Sequence, residues 1–179
     1  MPPKYIFYDL ETTGRGKKES PKAFGTTPKW EQIMQIAAIV TDENFQETNQ
    51  NINEFCRPRT SIISQPGALL TTQKGIREAL HAEMSSYELM KKINATFDEW
   101  KKDTQEPVFI GHNIIDFDES VLEYNLFHNL FFPYITRKNR GDTLSLARAL
   151  YALNPSSIKT PLTARGNPSF KLEKLAELN

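Results

Sequence analysis

Apolar and aromatic side chains crowd residues 4–10, which predicts a buried strand. Residues 14–29 are polar, with Gly, Pro and Lys, and read as a loop. Residues 32–41 form a second strand candidate. Residues 50–56 form a third, with partial alternation at Ile52 and Phe55 and a stop at Pro58. Ser64-Gln65-Pro66-Gly67 reads as a turn, and residues 72–82 as a short helix. A longer helix is predicted over 86–102. Ser85 and Glu88 have capping-box spacing, and Met90, Ile93, Phe97 and Trp100 recur at helical intervals. Residues 107–111 are another short buried strand. Helices follow over 117–129, with Leu122 and Leu126 on one face, and over 143–153, with Leu146, Leu150 and Leu153 in register. Asn154-Pro155 stops the latter, and a last helix is expected over 169–178. Three strands, then helices around a further strand, predict an α/β fold with a mixed sheet and helices packed on it.

Length and composition narrow the picture. The 179 residues point to one domain, 1–179, large enough to bury a substantial core. Hydrophobic residues at 39% and charged residues at 25% argue against disorder. A transmembrane helix needs about 20 consecutive apolar residues, whereas the longest apolar stretch, 36–40, is strand-sized, so no membrane partner is expected. The opening Met-Pro-Pro-Lys runs straight into a strand-like segment, so no signal peptide is expected. Cys56 is the only cysteine, which excludes a disulfide framework and a Cys-rich zinc site within one chain. A reducing, cytoplasmic setting is the expectation. The 22 basic and 22 acidic residues cancel. A protein that coats nucleic acid is usually strongly basic, so any such contact here is expected to be local. Two basic groups (Arg15, Lys17, Lys18 and Lys22; Arg137, Lys138 and Arg140) read as solvated loops.

Chemistry enters with Asp9-Leu10-Glu11-Thr12-Thr13-Gly14, at the end of the first strand. Side chains two apart on a strand face the same way, so Asp9 and Glu11 share a face and Leu10 is buried on the other. Two neighbouring carboxylates repel, and need solvent, a proton or a cation. Hard oxygen donors of this kind suit Mg²⁺ or Mn²⁺. Thr12, Thr13 and Gly14 form a tight polar turn that a ligand could approach closely. A bare Asp-x-Glu also describes an ordinary strand end with solvated acids. The second segment is Gly111-His112-Asn113-Ile114-Ile115-Asp116-Phe117-Asp118, between a buried strand and a helix. Asp118 falls at the helix N-terminus, where a carboxylate is stabilised. It reads either as a cap or as a third acid facing Asp9 and Glu11. Asp116 competes for that role, and spacing alone does not choose between them.

The pairing of these two segments resembles the DEDD superfamily of 3′→5′ exonucleases, and within it the bacterial exonuclease I family, which degrades single-stranded DNA from its 3′ end. Further segments carry the resemblance: Gln65-Pro66-Gly67-Ala68-Leu69-Leu70, residues 127–134, Ala149-Leu150-Tyr151-Ala152-Leu153-Asn154-Pro155, and Pro168-Ser169-Phe170-Lys171-Leu172-Glu173. It spans nearly the whole chain. The resemblance implies a ribonuclease H-like exonuclease fold with a mixed five-stranded sheet flanked by helices. It implies Asp9, Glu11 and Asp118 as catalytic, metal-binding acids, because the family's third acid directly follows the Phe. It also implies two Mg²⁺ (or Mn²⁺) ions, in-line phosphodiester hydrolysis and release of 5′-mononucleotides. Leu10 and Thr12 would lie beside the terminal nucleotide through their backbone. Phe117 would pack either against a sugar or base, or in the core. Asn113 is expected to fix the loop, and Asp142 to cap the helix from Thr143.

The chain departs from the family in one respect. The family's last motif, a His followed five residues later by an Asp, supplies the general base and a fourth metal ligand. His81, His112 and His128 do not match it, and Asn179 comes before it could occur. The family's C-terminal helix would then be missing. The expectation is a fragment of an exonuclease, inactive or weakly active. The alternative is a short protein that binds single-stranded nucleic acid or a partner without cutting. Self-association through the surface left uncovered is a further expectation.

Overall fold

The computed structural model describes residues 4–14, 31–59, 75–103, 107–131 and 139–178. The elements run β1 (Tyr5–Thr12), β2 (Ile33–Thr41), β3 (Ile52–Phe55), α1 (Gly75–His81), α2 (Ser86–Asp103), β4 (Val108–Gly111), α3 (Asp118–His128), β5 (Arg140–Asp142), α4 (Thr143–Leu153) and α5 (Leu172–Leu178). The strands form one mixed five-stranded sheet in the order β3-β2-β1-β4-β5. β1 is antiparallel to β2 and parallel to β4, and β4 is parallel to β5. The first strand is therefore central. Chain reversal by hairpin on one side and by helical crossover on the other is what permits both pairings.

Side-chain parity then assigns the faces. Ile6, Tyr8 and Leu10 of β1 lie opposite Val40, Ala38 and Ile36 of β2, and all six are buried. Helices α2 and α3 cover this face with Leu89, Met90, Ile93, Phe97 and Trp100 from one, and Val121, Leu122 and Leu126 from the other. Phe109 of β4 meets both Tyr8 and Phe97 ring to ring. Each such fully buried side chain stabilises the fold by about 1.5–3 kcal/mol. Leu122 and Leu126 are buried as the pattern predicts. The capping box also forms: Glu88 N–H donates to Ser85 Oγ at 3.2 Å, and Ser85 N–H donates to Glu88 Oε2 at 2.7 Å. The backbone bonding at the cap holds the Glu88 carboxyl below its ordinary range.

One expectation changes, and one helix face turns out to be exposed. Arg140 is not in a solvated loop. It opens β5, and its guanidinium is paired with the buried Glu119. The other basic residues of both groups, and the turn at Ser64–Gly67, lie outside the described residues. The stripe on α4 does not face inward: Leu146 and Leu153 are 58% and 86% exposed, and Ala147 is the buried residue of that helix. Among the described residues, no helix is long and apolar enough to cross a membrane.

Candidate active site

β1 carries Asp9 and Glu11 on the face opposite its buried residues, so Asp9 is exposed and Glu11 half-buried. Pairing with β2 slips by one residue between Glu11 and Thr12, with Met34 the extra residue. Such an irregularity ends regular pairing and re-aims the chain. The turn that follows is closed by short bonds. Thr12 Oγ1 donates to Gly14 O at 2.7 Å, and Thr13 N–H to Gln32 O at 2.9 Å.

The second segment arrives beside this strand end. β4 stops at Gly111, where a Cβ would collide with Ile114 and lie 2.8 Å from Tyr8 O, so only glycine fits. Asn113 turns the chain with φ 70°. Asn tolerates this left-handed conformation better than most residues. Asp142 holds the turn: its carboxylate accepts from Asn113 N–H at 3.0 Å and Ile115 N–H at 3.3 Å, and caps α4 through Leu144 and Ser145 N–H. Both the expected cap at Asp142 and the loop-fixing place of Asn113 are therefore seen. Asp116 is exposed. Asp118 is 4% exposed, and its Oδ1 accepts from Leu10 N–H at 3.2 Å. The buried acid at the start of α3 thus rests on the backbone between Asp9 and Glu11. The Leu10 side chain is in the core, and its N–H is taken by Asp118. Phe117 packs half-buried against the core.

The electrostatics follow from this crowding. Desolvation, then the Asp9 charge, push the Asp118 carboxyl up to about 7, with the Leu10 hydrogen bond opposing. Desolvation also raises Asp9, offset by His112, and raises Glu11, with Asp9 adding to it. Among the described residues, no Lys or Arg forms an ion pair with any of the three. No group of three His, Cys, Asp or Glu already stands close enough to close around one ion among those residues. The donor set still fits a hard divalent cation. It is all oxygen and anionic, and its pKa values are raised first by desolvation, with the Asp9 charge adding to the rise at Glu11 and Asp118.

Three residues take places here that local sequence did not assign to them. His112 stands near enough to Asp9 to lower its pKa. Its Nδ1 is 3.0 Å from Thr143 Oγ1, which itself donates to Gly111 O. Thr143 has one proton, so His112 donates from Nδ1 and keeps Nε2 as the acceptor in its neutral form. Arg140 anchors Glu119, the neighbour of Asp118. Glu31 is buried against the turn at Thr13. Their signals were the Gly-His-Asn triplet for the first, and none in local sequence for the other two.

Comparison with known proteins gives consistent relatives. A sequence model of the exonuclease family (RNase_T) matches residues 6–177. Exodeoxyribonuclease I of Escherichia coli is 30% identical over 179 residues, covering 98% of this chain and 34% of that protein. The Haemophilus influenzae enzyme of the same name is 31% identical over 162 residues, covering 88% and 33%. The chain thus spans about a third of the length of these relatives. Among solved structures, product-bound exonuclease I matches with a TM-score of 0.79 at 29% identity, over all of this chain and 39% of that one. E. coli exonuclease I in complex with a dT13 oligonucleotide matches with a TM-score of 0.77 at 30% identity, over 99% and 36%.

Proposed function

Since the chain belongs to the exonuclease (RNase_T) family and has its ribonuclease H-like fold, we propose that its site removes 5′-mononucleotides from the 3′ end of single-stranded DNA. The observation that carries this reading is the buried Asp118 carboxylate, seated on Leu10 N–H between Asp9 and Glu11 with no Lys or Arg paired to any of them among the described residues. A local cap would not need two further acids, and a structural carboxylate at that depth would ordinarily have a cationic partner.

Asp9, Glu11 and Asp118 would hold Mg²⁺ or Mn²⁺. Bound divalent ions would supply activation of water and neutralisation of the leaving 3′ oxygen as the phosphodiester is cut in line. The remaining work belongs to the protein. Thr12 and the backbone of its turn would lie beside the terminal nucleotide, and Phe117 stands half-buried next to the third acid. DNA is preferred over RNA because the relatives are named for DNA and one holds dT13. The 179 residues contain no His followed five residues later by Asp. These 179 residues assayed by themselves should cut about 10²–10⁴-fold more slowly than a site that holds such a base.

The test is extended incubation of the purified chain with a 5′-labelled oligo(dT) in Mn²⁺. Slow shortening from the 3′ end is expected, lost with chelator and in Asp9→Ala. Shortening that persists in either condition, or that starts at the 5′ end, overturns the reading. Oligonucleotide binding that survives metal removal, without any shortening, would instead identify a binding module.

A further inference from the structure

We propose that Glu31 is a positioning residue: its buried carboxylate sets the turn after Asp9 and Glu11, and its backbone carbonyl ties that turn to the helix bearing Asp118. The inference rests on the exonuclease reading above and deepens it by adding a residue that reaches substrate only through others.

Glu31 immediately precedes β2 and is 7% exposed. Its Oε2 accepts from Thr13 Oγ1 at 2.8 Å. The same hydroxyl accepts from Gln32 N–H at 2.9 Å, and Thr13 N–H returns a bond to Gln32 O at 2.9 Å. Thr13 is fully buried, so its hydroxyl is locked between a carboxylate and a backbone amide. The carboxylate also lies over the α-carbon of Gly14: a Cβ there would stand 2.6 Å from Oε1 and 2.8 Å from Oε2. The carboxylate thus occupies the space that a β-carbon at this position would fill. The turn between the acids and the rest of the chain is therefore clamped on two sides.

The other end of the clamp is α3. Asn125 Nδ2 donates to Glu31 O at 3.1 Å and to Val121 O at 2.8 Å, and Asn129 Nδ2 donates to Asn125 O at 2.7 Å. These groups are buried. Helix α3 begins with Asp118. One residue thus connects the strand end that carries two of the acids to the helix that carries the third. A buried carboxylate is costly unless it is well hydrogen-bonded, and a displacement of about 1 Å at a reacting centre can lower rates about 10²-fold.

The experiment compares Thr13→Val, Thr13→Ser and Glu31→Gln with wild type. It measures Mn²⁺ affinity, binding of dTMP in the presence of Mn²⁺, single-turnover shortening of oligo(dT), and melting temperature. Thr13→Val keeps the side-chain shape and removes the hydroxyl. It should weaken dTMP binding about tenfold and slow shortening by about 10–100-fold, with Mn²⁺ affinity near that of wild type. Thr13→Ser should recover most of both losses. Glu31→Gln, which keeps an acceptor oxygen, should fall between and serves if Thr13→Val does not fold. A purely structural role would lower the melting temperature and shift all readouts together. Wild-type dTMP binding and shortening in both Thr13→Val and Glu31→Gln would overturn the inference. Failure of wild type itself to bind dTMP or shorten oligo(dT) would overturn the exonuclease reading, and the inference with it.

Discussion

Replacing Asp118 by Asn should stabilise the metal-free protein at neutral and alkaline pH, and remove its response to Mg²⁺. The side chain is 4% exposed, and its carboxyl is pushed from the ordinary 3.8 up to about 7, first by desolvation and then by Asp9. The folded pKa lies above the unfolded one. Below about pH 4 the group is protonated in both states and costs nothing. Between about pH 4 and 7 the folded state holds a proton that the unfolded state releases, so stability falls as pH rises through this window. Above it the penalty is complete, on the order of 4 kcal/mol at 1.36 kcal/mol per pH unit. Asn stays neutral and keeps an Oδ1 to accept from Leu10 N–H. Its amide nitrogen brings new donors that also need partners, so a net gain of about 2 kcal/mol is expected at about pH 8. Urea unfolding with chelator, at about pH 8 and about pH 4, measures it. The gain should vanish at the lower pH. Mg²⁺ at about a hundred times its Kd should stabilise wild type by about 2.7 kcal/mol, and the Asn variant far less. An Asn variant no more stable than wild type at alkaline pH, or an advantage that persists unchanged in acid, would refute the reasoning.

Other changes probe the frame around the site. Arg140→Ala leaves Glu119 buried and without its guanidinium partner, and should cost about 3–5 kcal/mol in urea unfolding. Gly111→Ala forces a Cβ into Ile114 and the Tyr8 carbonyl, so it should destabilise by about 3 kcal/mol or more and lower soluble yield. Asp142→Ala removes four accepted N–H bonds. Faster hydrogen exchange is expected at Asn113, Ile115, Leu144 and Ser145, with about 2 kcal/mol lost.

The central strands were legible because their burial is written in local composition. Residues 4–10 and 32–41 are apolar enough to be read directly, and the structure extends the first only to Thr12. β5 was not legible. Arg140-Gly141-Asp142 has no apolar residue, and it is a strand because β4 offers a free edge for parallel pairing. The phase of α4 was not legible for a related reason. Leu146, Leu150 and Leu153 have helical spacing, but Asp142 fixes where the helix starts and how it leaves the sheet, and that geometry turns Ala147 inward. Hydrophobic periodicity predicts orientation only where packing, and not a cap shared with another loop, sets the phase.

The same division runs through the site. That Asp9 and Glu11 share a face follows from strand parity, a local rule. The choice between Asp116 and Asp118 does not, because both sit near one helix start. What separates them is a hydrogen bond to Leu10, 108 residues away in sequence, together with the burial it accompanies. The places of Glu31 and Arg140 were not legible for the same cause: each is set by a partner 18 or 21 residues distant. Desolvation is a tertiary quantity, and it is desolvation that raises all three acids. The residue types of such a site can therefore be read from motifs. Their raised pKa values arise only when the fold removes water from them, because in solvent the same carboxylates would repel weakly and remain charged.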